Sequence, residues 1–165
     1  MAPLRRLVVG LGNPLAGSDG FGAAVVARLR ETGVLPAGVL LLDAGTDLLG
    51  HIDAFLPCDD VVLVDAIVGE GRPGGVIVVG ERTFEHWPES ATSCHHVSPL
   101  VAVKLFRTLH PQAATKVTLV GYCVDKVTLG IGLPDGAVAA GAAAVTRLLG
   151  AGQSARPPDL LPRTP

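Results

Sequence analysis

Apolar residues in this chain come in short runs that stop at a glycine or an acid, separated by stretches with helical spacing. Leu7-Val8-Val9, leading into Gly10-Leu11-Gly12, predicts a first strand. Phe21, Val25 and Leu29 recur at intervals of four and share one helix face, and Gly33 predicts the stop. Residues 39–42 predict a second strand that ends at Asp43. Leu48, Leu49, Ile52, Phe55 and Leu56 predict the inward face of a second helix, starting near Asp47 and ended by Pro57. Residues 61–64 form a continuous apolar run ending at Asp65, the pattern of a strand covered on both faces.

Downstream, residues 76–79 predict a fourth strand. The turn-rich link over 69–75 is too short for a helical crossover, so this strand should run antiparallel. A long loop over 80–97 carries Trp87, His86, His95 and His96. Ser98 as N-cap and Pro99 at the first helical position predict a third helix. Residues 117–122 predict the fifth strand, and 134–149 an Ala-rich last helix. The fold class that follows is α/β: a three-layer α/β/α domain over 1–150, with a mostly parallel five-stranded sheet and one antiparallel strand. Residues 151–165, with four prolines and no periodicity, should form a mobile tail.

Composition narrows the function. A chain of 165 residues, 48% hydrophobic, is large enough for one well-packed domain. A net charge of −2 without a basic stripe argues against a nucleic-acid partner. No membrane partner is expected either, because Asp43, Asp65 and glycines interrupt the apolar runs. Cys58, Cys94 and Cys123 form no C-x-x-C pair, which argues against a disulfide framework or an all-cysteine zinc site. That usage fits a reducing cytoplasm.

The candidate chemistry begins in the glycine-rich loop after the first strand. Such loops usually cradle phosphate, but this one carries Asp19 and neither Lys nor Arg. It presents an acid, which points to a metal or another cation. Asp19, Asp43 and Asp65 each follow one of the first three strands, and parallel strands would bring them to one edge, where open α/β sheets bind ligands. Bland readings stand beside these. Asp19 can serve as a helix cap, and Asp43 can shape a turn. Asp65 interrupts an apolar run, where a carboxylate is costly unless paired or metal-bound. The pair His95-His96 closes the long loop, which has enough chain to return to the acidic edge. Two Asp and one His make an oxygen-and-nitrogen set that suits zinc or nickel. Cys94 beside His95 is a poor nucleophile–base pair, since such partners are usually distant in sequence.

Together these residues resemble the hydrogenase maturation proteases, endopeptidases that trim the C-terminus of the nickel–iron hydrogenase large-subunit precursor. The family's opening loop, G-N-x-L-x-x-D-[DE]-G-x-G, is similar to Gly12-Asn13-Pro14-Leu15 and Asp19-Gly20-Phe21-Gly22, with Ser18 replacing the first acid. Its D-G-G-T segment resembles Asp43-Ala44-Gly45-Thr46, and its buried strand-three acid matches Asp65. Its S-x-H before a helix matches Ser93-Cys94-His95, and Val120-Gly121 and Gly132-Leu133-Pro134 also look similar. The resemblance covers residues 5–149. It implies a metal-contacting trio of Asp19, Asp65 and His95, with Asp19 and Asp65 catalytic. It marks Asn13, Asp43, Gly45 and Thr46 for substrate recognition. The implied metal is nickel supplied by the substrate, with no organic cofactor, and the implied partner is the large-subunit precursor. A metal-polarised carbonyl attacked by a carboxylate-assisted water is the corresponding chemistry.

Three rivals can be weighed on the same residues. Peptidyl-tRNA hydrolases open like Val9-Gly10-Leu11-Gly12-Asn13-Pro14, but continue into a loop with a catalytic His that is absent here. A dinucleotide-binding fingerprint begins at Gly10-Leu11-Gly12 but meets Leu15 at its sixth position. A non-catalytic nickel-binding maturation factor would use the same half-site as the protease and stays open.

Overall fold

The computed structural model describes residues 5–88, 97–130 and 132–150. Strands β1 (Arg6–Leu11), β2 (Val39–Gly45), β3 (Asp60–Val68), β4 (Val76–Gly80) and β5 (Lys116–Val124) form one sheet in the order β2-β1-β3-β5-β4. All neighbours pair parallel except β4, which runs antiparallel to β5. Helices α1 (Phe21–Thr32), α2 (Glu81–Phe84), α3 (Pro99–Leu109) and α4 (Asp135–Gly150) cover the sheet, with short 3-10 turns at Gly17–Gly20 and Leu49–Phe55. The expected mixed sheet between helical layers is thus what forms. No helix among the described residues is long and apolar enough to cross a membrane.

Period-two alternation divides the core. Leu7, Val9, Val61, Leu63, Ile67, Val117 and Leu119 face a layer holding the 3-10 turn Leu49–Phe55, α2 and α3. Val8, Val62, Val64, Val120 and Tyr122 face α1 and α4. Phe55 and Phe106 meet edge-on at 5.4 Å in the first layer, and Phe21 stacks on Tyr122 at 5.2 Å in the second. The expected face of α1 is buried at Phe21, Val25 and Leu29, and Gly33 closes the helix at φ 59°. Ser98 caps α3, its Oγ accepting from the Val101 N–H at 3.3 Å, with Pro99 leading the helix.

Four expectations need correction. The second predicted helix is a 3-10 turn, and Leu56 is 46% exposed rather than inward. A short helix, α2, stands inside the stretch read as loop. Strand β2 continues through Asp43 to Gly45, so Asp43 lies within it. Strand β3 likewise continues past Asp65 to Val68, because it stays hydrogen-bonded to β5 through the pair Val68–Val124. The tail at 151–165 lies outside the described residues.

The sheet therefore has a step. β1 ends at Leu11, one residue beyond the Gly10–Val64 pair, while β3 and β5 run on together. Asp65 sits on the projecting part of β3, at the level where β1 stops.

The orientation of α3 follows from its C-terminal end. Arg107 forks onto Glu81 with bonds of 2.7 and 2.6 Å and donates to the carbonyls of Ala113 and Thr115. Glu81 follows the end of antiparallel β4, and Thr115 precedes β5, so both lie at the edge opposite the acids. The helix is anchored there, and its Ser98 end points back toward the edge bearing Asp65.

Candidate active site

β1 sends the chain through α1 on one face of the sheet, and the return to β5 after β3 passes through α3 on the other. Neighbouring strands whose connections leave toward opposite faces open a crevice beyond their C-terminal ends. Asp19 lies on the chain leaving β1, and Asp65 lies on β3. The 3-10 turn bearing Asp19 packs against β3. Both acids are buried, Asp19 at 2% exposure and Asp65 at 0%. Burying two carboxylates within a domain of marginal stability is costly unless their bonding compensates it.

The loop that positions Asp19 is built from backbone. Its Oδ2 accepts from the Asn13 N–H at 2.8 Å, drawing the turn across the end of β1. Gly12, at φ 113°, lets the Asp19 carbonyl approach so closely that any Cβ there would lie 1.7 Å from it. The Gly12 N–H in turn donates to the Gly45 carbonyl at 2.8 Å. At Gly22 a Cβ would come within 2.3 Å of Leu11 and Val64 backbone atoms, so this glycine lets the start of α1 rest on both strands. The capping reading of Asp19 does not hold: Gly20 is the N-cap of α1, with no side-chain cap.

Asp65 accepts from the N–H of Ala66 at 2.8 Å. By alternation its side chain shares the face of Leu63 and Ile67, the α3 side. Its partner across β5 is Gly121, where a Cβ would collide with Ile67 at 1.7 Å. The residue beside Asp65 thus contributes no side chain, and Ile67 fills the space. Gly121 falls inside the predicted fifth strand, over residues 117–122. A glycine inside an apolar strand was the available signal of close packing.

The remaining expected site residues separate. Asp43 is exposed, shares the face of Val39 and Leu41 on the α1 side, and accepts from the Gly45 N–H at 3.2 Å. Its turn-shaping role is therefore the observed one, and alternation places it on the face opposite Asp65. Asn13 uses its Oδ1 to accept from the Leu15 N–H at 2.9 Å, which shapes the loop. Gly45 supports that loop through its carbonyl, and Thr46 is exposed. His95, His96 and Cys94 lie outside the described residues. Among the described residues no group of three His, Cys, Asp or Glu side chains is placed to hold a metal. Cys58 and Cys123 are buried thiols. Burial pushes the Cys123 thiol up to about 11, with Glu70 adding to the shift, and pushes Cys58 upward too, aided by Asp59. Neither is suited to act as a nucleophile.

Fold and site define an open, doubly wound α/β protein with a two-carboxylate crevice at its switch point. The chain belongs to the hydrogenase maturation protease family, whose model matches residues 23–151. The match includes Asp43, Asp65 and His95 and begins just after the Asp19 loop. Among curated relatives, the hydrogenase expression/formation protein HupD of Rhodobacter capsulatus is 29% identical over 127 residues, 77% of this chain and 56% of that protein. The match thus spans little more than half of that relative's length. The hydrogenase 2 maturation protease of Escherichia coli is 27% identical over 131 residues, 79% of each chain. Among solved structures, the [NiFe] hydrogenase maturation protease HybD from Thermococcus kodakarensis superposes with a TM-score of 0.66 at 26% identity, covering 88% of this chain and 96% of that one.

Proposed function

We propose that this chain is an endopeptidase that removes the C-terminal peptide from a nickel–iron hydrogenase large-subunit precursor once nickel has been inserted. The observation that carries the reading is the burial of Asp19 and Asp65 beside the same crevice, in a chain of the hydrogenase maturation protease family. Two carboxylates and an imidazole form an incomplete ligand set, suited to contacting a metal already held by the substrate. His95 supplies the imidazole in this reading. It stands three residue steps before Ser98, a length of chain that reaches at most about 11 Å. The Ser98 end of α3 points to the acidic edge.

In the reaction, one carboxylate takes a proton from a water as its oxygen attacks the scissile carbonyl. The hydroxyl stays on the new C-terminus, and the proton passes to the leaving amine. Nickel in the precursor serves as the recognition mark, and a precursor without it is left uncut. Cytoplasmic action fits a chain whose described cysteines are free thiols.

The test is to incubate the purified chain with nickel-loaded and nickel-free precursor and to follow the mass of each. Shortening of the nickel-loaded precursor alone is the expected result. Cutting of both would overturn nickel recognition. Nickel-dependent association without any cut would replace the protease by a binding factor.

A further inference from the structure

Leu15 and Leu129 are 86% and 76% exposed, the two most exposed large apolar side chains among the described residues. Single exposed leucines on a protein surface are ordinary. What distinguishes these two is where they stand. Leu15 lies on the loop leaving β1, and Leu129 on the loop leaving β5, both at the C-terminal edge of the sheet. Strand β3, which bears Asp65, runs between those two strands. The next most exposed, Leu40, lies on edge strand β2, and Leu109 ends α3 at the opposite edge.

Leu15 is held out rather than left loose. Its N–H is bonded to Asn13 Oδ1 at 2.9 Å, and the Ala16 N–H to the Asn13 carbonyl at 3.0 Å. The same loop is closed on its other side by the Asn13 N–H to Asp19. A fixed loop that keeps an apolar side chain in water beside a buried acid is preorganised for an apolar ligand group. Strands β1 and β5, from which the two loops leave, are two strand spacings apart, about 9.5 Å.

We propose that Leu15 and Leu129 grip apolar side chains of the precursor on either side of the bond to be cut, laying that segment over the C-terminal end of β3. The proposal rests on the protease reading above and adds two specificity-determining residues to it.

The experiment compares Leu15→Ser, Leu129→Ser and the remote control Leu40→Ser in steady-state cleavage of nickel-loaded precursor by the full chain. Each loop variant should raise KM about tenfold, as expected for losing most of one leucine contact. It should leave kcat within about twofold, because no reacting group is touched. Leu40→Ser should match the wild type, and all three should keep the wild-type unfolding midpoint. Unchanged KM in both loop variants, or an equal rise in Leu40→Ser, overturns the grip. Precursor binding to the Asp65→Asn chain, with and without each loop substitution, separates the two ideas. If the wild type never cuts, the protease reading fails, while a tenfold weaker complex with the loop variants still upholds the grip.

Discussion

Replacing Gly12 by alanine should damage this protein far more than a surface-loop substitution normally does. Two separate penalties combine. At φ 113° the backbone is in a region that L side chains rarely adopt, which costs about 1–3 kcal/mol. The new Cβ would also stand 1.7 Å from the Asp19 carbonyl oxygen. That is short of the 3.0 Å that real Cβ atoms keep by about 1.3 Å, and the obstacle is backbone in a tight turn. Overpacking of this kind costs a further 1–3 kcal/mol or so, giving about 2–6 kcal/mol against a total stability of about 5–15. Gly33→Ala isolates the first penalty, since Gly33 also has positive φ, at 59°, but nothing within 4 Å of its Cβ position. It should lose only about 1–2 kcal/mol. Urea unfolding of the two variants, analysed by linear extrapolation, measures the difference. The reasoning is refuted if the two lose the same stability. Cleavage by folded Gly12→Ala should also fall, because relief of the collision displaces Asp19 itself.

Asp19→Asn and Asp65→Asn should each slow precursor cleavage at least about 100-fold while circular dichroism stays that of the wild type. His95→Ala should be the more damaging of the two adjacent histidine changes, and a larger loss in His96→Ala would reverse that assignment. Arg107→Ala should destabilise the fold by about 2–4 kcal/mol, because Glu81 and two carbonyls lose a charged donor. Arg107→Lys should recover only part of this by chemical denaturation, since an ammonium cannot reproduce the fork. The Cys123 thiol, raised from 9.0 to about 11, favours the folded state fully below pH 9. That contribution should be lost as pH rises toward 11, because the unfolded thiol ionises first. Stability measured from pH 8 to 11 should therefore fall more steeply for the wild type than for Cys123→Ala, and parallel curves would contradict the assignment.

Much of the architecture was legible because β3 and β5 are apolar on both faces and α1 is apolar on one. Those patterns report burial directly, so strand count, the antiparallel strand and the caps at Ser98 and Gly33 could be read from residues alone. Strand ends were harder. Asp43 and Asp65 interrupt apolar runs and look like stops, yet ladder bonding to β1 and β5 carries each strand past its acid. The 3-10 turn over Leu49–Phe55 shows the same limit, since its apolar residues fit a helical face without specifying its pitch. At the site, burial of Asp65 followed from its apolar neighbours. The side of the sheet on which Asp43 falls depended on pairing that no local pattern contains. The Asn13 N–H bond to Asp19 and the fork of Arg107 onto Glu81 join groups whose nearness is a product of the fold.

The alternation of β3 also decides which layer receives the Asp65 carboxylate. Asp65 points to the α3 side only because it falls in phase with Val61, Leu63 and Ile67. Slipping β3 by one residue would turn its carboxylate into the apolar layer of α1 and α4, and would turn Val64 toward α3. A mispaired sheet would therefore bury that carboxylate in an apolar layer and be unstable. Nine consecutive pairs with β5 hold that phase, so a chain that folds at all presents its acid on the correct side.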